Sequence, residues 1–345
     1  MENIKKSVFK IVTASGTGSG FVVGGYDLII TNYHVIKGDK VVAVEDYKKD
    51  RQVAHVVMVN PEVDLAFLHI DGFKNTTNDI SLQDDIVVAN AQKVYINGYP
   101  FGMPYTITEG IVSATNQPMG NRQYIQTDAA INKGNSGGPL AKFNNADNVG
   151  FGIKHSDLIK ELNDFTFDDN AYRVKCNSCD DYTIEESEFC SNCGNSLDIS
   201  IWEEFEKSHF AKFVENALEE LDMNPVLGRA GRDFWEFHQG SALIRIFVFK
   251  RDYLVATSHL NKLPKQNLQE LMTYLIGEVV DPYYLGIHQN NIYLSYRTHL
   301  SDIFTDYADT IKENIKNLAL KADDLDNFFM DTYGCEMAIE SKEEN

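Results

Sequence analysis

The chain has 345 residues, 43% of them hydrophobic and 24% charged, with 31 Lys+Arg against 51 Asp+Glu and a formal net charge of −20. That length accommodates two or three domains, and the apolar content is that of a globular protein. The acidity lies toward the rear, where residues 156–200 carry 3 Lys+Arg against 11 Asp+Glu and residues 201–345 carry 14 against 25; a polyanion is repelled there, so nucleic acid is a poor partner.

The first ten residues, Met1 to Lys10, hold no long apolar core and no cleavage site, and they run into the first predicted strand. No apolar stretch reaches the ~18 residues needed to span a bilayer. The expectation is a cytoplasmic protein without membrane contact. An apolar run, Leu28-Ile29-Ile30, leads into Thr31-Asn32-Tyr33-His34-Val35, and Asp64 precedes another, Leu65 to Leu68. Residues 133–139 read Lys-Gly-Asn-Ser-Gly-Gly-Pro. Gly134 lets the backbone turn so that its N–H and that of Ser136 converge on one point, where a carbonyl oxygen would become negative under attack by Ser136. A nucleophilic serine needs a base and a group to orient it. His34 and Asp64 supply both types, and the chain order is His, Asp, Ser. Any one of the three alone is weak, since the chain has nine histidines and many aspartates; the ordered set between strand-like segments carries the reading.

Six motifs extend it. Gly16 to Gly24 (GTGSGFVVG), Thr31–Val35, Asp64–Leu68, Gly98-Tyr99-Pro100-Phe101-Gly102, Glu109–Ser113 and Gln126–Asn132 (QTDAAIN) stand in register over residues 8–155. Together they resemble the trypsin-like proteases of the HtrA/Deg family. The resemblance implies a chymotrypsin-like all-β double barrel over residues 1–158. It implies a triad of His34, Asp64 and Ser136, and an oxyanion loop of Gly134, Asn135 and Ser136. It also implies that Ala130 and Ile131 line the primary pocket, and that the strand containing Gly152 and Ile153 pairs with the substrate backbone. No acidic pocket floor is visible, which favours small or medium aliphatic residues over Lys or Arg. Ile131 and Ile153 read equally well as barrel core. The family usually carries proline where Lys133 stands, and commonly a signal or anchor and a PDZ domain that are not seen here.

Residues 159–200 read as an acidic linker and a small metal ribbon. Cys176-Asn-Ser-Cys179 and Cys190-Ser-Asn-Cys193-Gly194 form two CxxC pairs, each aiming two thiolates at one centre. Four thiolates make a closed tetrahedral site, so the expectation is one structural zinc ion. Disulfides, redox chemistry and an iron–sulfur site are the alternatives; the first is disfavoured in a cytoplasmic chain. Cys335 is left over.

Residues 201–345 predict an α+β domain. A helix is expected over 201–221, with Trp202, Phe205, Phe210 and Val214 on its apolar side. Strands follow at Asp233–Phe237, Ala242–Phe249 and Tyr253–Ser258, then a helix from Pro264 to about Val280. A hairpin joins Tyr284–His288 to Ile292–Arg297, and a last helix runs from about Leu300 to Tyr333, broken near Lys321. The order αβββαββα resembles the type III secretion chaperone-like (YbjN-like) fold. That resemblance implies binding of peptides or partner chains. Trimers are common in the first family and dimers in the second, so a homo-oligomer is compatible with both. The expected function is a serine endopeptidase acting on protein or peptide substrates, with a C-terminal domain that recruits a client or regulatory protein. The alternative is a catalytically silent protease-fold scaffold.

Overall fold

Strand alternation decides how the first 70 residues fold. Of β1 (Val8–Val12), β2 (Thr17–Val22), β3 (Ile29–Thr31), β4 (Val41–Glu45), β5 (Arg51–Asn60) and β6 (Leu65–His69), the strands β1, β2, β3 and β6 send neighbouring residues into different apolar clusters, as a period of two requires. By contrast, β4 sends Val42 and Val44 into one cluster, and β5 shifts register at a bulge between Val56 and Met58. One cluster takes residues from all six strands, among them Ile11, Val22, Ile29, Val42, Ala54 and Leu68, and fills the barrel. The other takes Phe21, Ile30, Met58 and Phe67, and is covered by Tyr99, Leu158, Leu162 and Phe165. The strand order is β5-β4-β1-β2-β3-β6, and β6 pairs back onto β5, which closes the expected β-barrel. A short helix, α1 (Tyr33–Ile36), follows β3 directly.

The computed structural model describes residues 3–82, 88–119, 122–130, 132–141, 149–150, 155–239, 242–277 and 280–338. A second sheet has the order β11-β10-β7-β8-β9, built from β7 (Lys93–Gly98), β8 (Thr106–Met119), β9 (Arg122–Thr127), β10 (Leu140–Ala141) and β11 (Val149–Gly150). Its core gathers Val94, Ile96, Val112, Ile125 and Leu140. Helix α2 (His155–Asp164) and the hairpin β12–β13 (Val174–Lys175, Tyr182–Thr183) come next. β12 pairs in parallel with β5 at Val174↔Val59, so the cysteine segment extends the first barrel's sheet.

The chain forms two compact units, Met1–Glu206 and Lys207–Asn345. Trp202 and Phe205 were expected on the helix opening the second unit, but they precede it and pack within the first. Phe205 N–H donates to Gly38 O at 2.8 Å, and Trp202 stacks edge-on against Tyr172 with ring centres 5.7 Å apart. The helix itself, α3 (His209–Glu219), starts late because Ser208 caps it: its Oγ accepts from Ala211 N–H at 3.0 Å.

The second unit continues with α4 (Pro225–Gly228), β14 (Arg229–Gly231), β15 (Phe234–Gln239), β16 (Ala242–Phe249), β17 (Tyr253–Lys262), α5 (Leu268–Gly277), β18 (Tyr284–His288), β19 (Asn291–His299), α6 (Ala308–Tyr333) and β20 (Glu336–Met337). The sheet order is β14-β15-β16-β17-β19-β18, with β20 pairing β17. The expected hairpin is tight, because Gln289 and Asn290 both adopt positive φ (48° and 65°). The last helix begins later than expected, after a 3-10 turn at Leu300–Phe304 capped by His299. It then runs unbroken past Lys321 to Gly334, whose φ of 70° ends it. α3 and α6 cover one sheet face through Val214, Leu218, Ile311, Ile315, Leu318 and Phe329. On the sheet, Phe247, Phe249, Val255, Tyr284, Ser295 and Arg297 line a cleft of about 430 Å³.

Asp326 on α6 is 2% exposed, and burial together with Asp323 pushes its carboxyl up to about 6. Its folded pKa lies above the unfolded value of 3.8, so the folded state binds the extra proton between the two. Stability of the second unit therefore falls as pH rises toward 6 and stays at its lower value above. Asp326→Asn is expected to raise stability at pH 7.5 by about 1–3 kcal/mol and to flatten that dependence. Urea titrations of wild type and variant at pH 4.5 and 7.5 check it; equal stabilities at pH 7.5 would refute the buried charge.

Candidate active site and cysteine cluster

His34 stands on α1, which opens straight after β3, and Asp64 stands in the turn between β5 and β6. Four hydrogen bonds hold Asp64 against the segment Asn32–His34. His34 Nδ1 lies 2.7 Å from Asp64 Oδ2, and His34 N–H donates to Asp64 Oδ1 at 2.9 Å. Asn32 Nδ2 and Tyr33 N–H both donate to Asp64 O, at 2.8 and 3.1 Å. Asp64 pays for this geometry with a left-handed backbone, φ 54°. The carboxylate's hydrogen bond raises the pKa of His34 above its usual 6.5, against the opposing effect of burial.

Ser136 is fastened to the same place by its neighbours. Ser19 N–H donates to Ser136 O at 2.8 Å, and Gly137 N–H donates to Asn32 Oδ1, also at 2.8 Å. Asn32 thus bonds the aspartate backbone with one end of its amide and the serine loop with the other. Ser19 Oγ donates to Gly134 O at 2.8 Å and accepts from Tyr99 N–H at 3.0 Å. Gly137 has φ 85°, and a Cβ there would lie 2.0 Å from Ser19 O, so no other residue fits. No hydrogen bond joins the His34 ring to Ser136 among the described residues; such contacts commonly tighten only when substrate binds.

The backbone N–H groups of the expected oxyanion loop differ in what they bond. Lys133 O accepts from Phe101 N–H at 2.6 Å. A trans peptide points its C=O and N–H in opposite directions, so Gly134 N–H faces away from Phe101. Gly134 has φ 99°, and a Cβ there would meet Tyr99 O at 2.6 Å. Asn135 N–H donates to Asn132 O at 3.0 Å, so it is not an oxyanion donor. Among the described residues, the N–H groups of Gly134 and Ser136 donate to no protein acceptor. These two remain to receive an oxygen.

Of the expected substrate-binding residues, Ala130 is exposed at the end of the segment leading to the serine. That segment is pinned to β8 by Asp128 Oδ1, which accepts from Ile111 N–H at 2.7 Å. Ile131, Gly152 and Ile153 lie outside the described residues. Ser19 and Asn32 were not singled out beforehand. Both lie inside motifs already quoted, but their role depends on contacts with residues more than 100 positions away.

The four cysteines meet at one point, their Sγ atoms all within 4.8 Å of one another. The two turns are built alike. Asp180 N–H donates to Cys176 O at 2.8 Å, and Gly194 N–H donates to Cys190 O at 3.0 Å. Cys176 N–H donates to Asp181 O and Cys190 N–H to Asn195 O, at 2.9 and 2.8 Å. The residue after each second cysteine has positive φ, 59° at Asp180 and 72° at Gly194. Sγ–Sγ separations are 3.7 Å for Cys176–Cys193 and for Cys179–Cys190. A disulfide needs about 2.05 Å, whereas four thiolates around a tetrahedral ion with ~2.3 Å bonds stand about 3.8 Å apart. The donor set therefore fits a metal ion. Backbone N–H groups of Cys193 and Asn192 help bring the Cys190 thiol down to about 6.

Residues 18–150 match the family model described as a trypsin-like peptidase domain. A probable periplasmic serine endoprotease DegP-like of Marinomonas sp. is 41% identical over 129 residues, covering 36% of this chain and 27% of that protein. Protease Do-like 1, chloroplastic, of Arabidopsis thaliana is 41% identical over 134 residues, covering 36% and 30%. Serine protease HTRA2, mitochondrial, of Bos taurus is 42% identical over 130 residues, covering 36% and 28%. The chain thus spans less than a third of the length of these relatives. Motifs, barrel and relatives agree that residues 18–150 form a trypsin-like peptidase domain similar to that of the DegP/HtrA serine proteases.

Proposed function

We propose that this protein is a serine endopeptidase acting on protein or peptide substrates. The observation that carries the reading is the pairing of a formed His34–Asp64 hydrogen bond (2.7 Å) with the N–H groups of Gly134 and Ser136, which have no acceptor among the described residues. Ser136 Oγ attacks a peptide carbonyl, and His34 Nε2 takes its proton. Asp64 holds the other ring nitrogen and favours the imidazolium. The carbonyl oxygen, now negative, receives the Gly134 and Ser136 N–H groups. His34 returns the proton to the leaving amine, and water then releases the acyl group by the same route.

The four cysteines are read as holding one structural zinc ion. All four ligand positions are thiolates, so the ion supplies no chemistry to the reaction. Purified protein is expected to contain about one zinc per chain, with Cys190→Ser losing it; elemental analysis decides. None of the five cysteines is held in a disulfide, which suits a cytoplasmic location. The second unit is read as a YbjN-like domain that recruits client or regulatory protein. Its cleft, with Phe249 and Tyr284 43% and 60% exposed beside Arg297, suits an aromatic or apolar peptide.

A serine-directed fluorophosphonate tests the reading, because it labels an activated serine. Wild type is expected to take one label, mapped to Ser136 by mass spectrometry. Absence of label in purified protein and in cell lysate would favour the silent scaffold.

A further inference from the structure

We infer that Asn60 and Asn177 are a positioning pair through which the metal-bearing knuckle holds the turn of Asp64. The inference rests on the zinc reading of the cysteines and gives that site a part in catalysis. Asn60 closes β5 with no exposed surface. Its Nδ2 donates to Asn177 Oδ1 at 3.0 Å and to Glu161 Oε1 at 3.1 Å, and its Oδ1 accepts from Asn177 Nδ2 at 3.0 Å. Asn177 lies between the two ligands of the first knuckle, Cys176 and Cys179. Four residues after Asn60 stands Asp64, in a turn closed by Asp64 N–H to Pro61 O at 3.2 Å. Its left-handed φ of 54° is a conformation that persists only where the surroundings impose it. Beyond Asp64 those surroundings include Asn32, Tyr33 and His34; before it they include the Asn60–Leu65 pair of β5 and β6, and Asn60 Oδ1, which accepts from Val63 N–H at 3.4 Å and ties the turn to the knuckle.

A second brace reaches the histidine side. Trp202 Nε1 donates to Ser187 O at 3.2 Å, inside the ribbon. Trp202 shares an apolar cluster with Tyr33 and Ile36 of α1, the helix that carries His34. The ribbon therefore supports both members of the dyad, the carboxylate through a reciprocal amide pair and the imidazole through apolar packing.

β12 and β13 are two residues each, too short to stand without the ion. When zinc leaves, Asn177 leaves its place, and the buried amide of Asn60 loses two of its bonds. The 60–64 turn then relaxes, and Asp64 moves relative to His34. A displacement near 1 Å in such a pair costs on the order of 10²-fold in rate. The protease would thus answer to zinc occupancy at a site that never touches substrate.

The test uses the full chain, with zinc content, fluorophosphonate labelling kinetics and amide exchange measured on the same samples. Chelation of zinc is expected to slow the maximal labelling rate on the order of 10²-fold without weakening probe binding. It should also remove exchange protection from Tyr33 N–H, which donates to Asp64 O. Asn177→Ala, at an exposed position, should keep its zinc and reproduce most of the rate loss, and Asn60→Ala should respond little to chelation. Zinc removal that leaves both the labelling rate and Tyr33 protection unchanged would overturn the inference and spare the zinc reading. Protein purified without zinc, whose cysteine variants fold and label normally, would overturn both. Amide exchange reads the turn even where labelling is absent, so failure of the protease reading is told apart.

Discussion

Ser136→Ala is expected to lower peptide hydrolysis on the order of 10⁶-fold, with the fold unchanged. The size follows from how the site divides its work. Removing Oγ deletes the nucleophile, and the proton that His34 would have carried no longer exists to be moved. The double variant Ser136→Ala/His34→Ala should therefore be no slower than the single one, since the two residues act on one proton. What survives is the binding and the oxyanion contribution of Gly134 and Ser136 N–H, which alanine retains. Ser136 is half-buried, and its backbone is held by Ser19 N–H on its own carbonyl and by Asn32 on the next amide. Neither bond uses Oγ, so the substitution leaves the loop in place. Hydrolysis of denatured casein, followed by release of soluble fragments, measures the loss. A variant with a tenth or more of wild-type activity would place the nucleophile elsewhere. A double variant much slower than the single would mean that His34 has work independent of Ser136.

The candidate site was legible in the sequence where it is written locally. GNSGGP, TNYHV and DLAFL each put a reactive side chain beside backbone features that only certain residues allow, such as φ 85° at Gly137. The CxxC pairs were equally plain, and the repeated turn geometry around Cys176 and Cys190 follows from their spacing. Long-range roles were not legible. Ser19 and Asn32 look like ordinary polar residues until the fold brings Gly134 and Gly137 to them. The expected helix at 201–221 failed for a related reason. Trp202 and Phe205 fit an apolar helical spacing, but their partners are Tyr172 and Gly38, and Ser208 starts the helix after them. Periodicity reports that a residue is buried, not against which surface. A helix break near Lys321 was expected within a helix that packing on the sheet keeps continuous.

Asp64→Asn should reduce kcat/KM on the order of 10⁴-fold at neutral pH, and the hydrogen-bond geometry gives the reason. Asp64 Oδ1 accepts from the His34 backbone N–H at 2.9 Å, while Oδ2 faces His34 Nδ1 at 2.7 Å. In the asparagine the backbone bond demands the oxygen at the first position, so the NH₂ group turns toward the ring. Nδ1 must then accept, and the ring proton sits on Nε2, the atom that should take the proton of Ser136. The variant thus keeps its shape and holds the wrong tautomer. The pH profile provides a second readout. In wild type the carboxylate raises the His34 pKa above 6.5. Below that pKa the ring is already protonated and cannot act as base, so activity rises with pH through a value above the ordinary one. Losing the negative charge removes the cause of the shift, and the acid limb of the variant should move to lower pH. Initial rates from pH 5 to 9 on one peptide substrate test both parts. A variant within tenfold of wild type would show that Asp64 does not set the tautomer. An unmoved acid limb would mean that the titrating group is not His34 under the influence of Asp64.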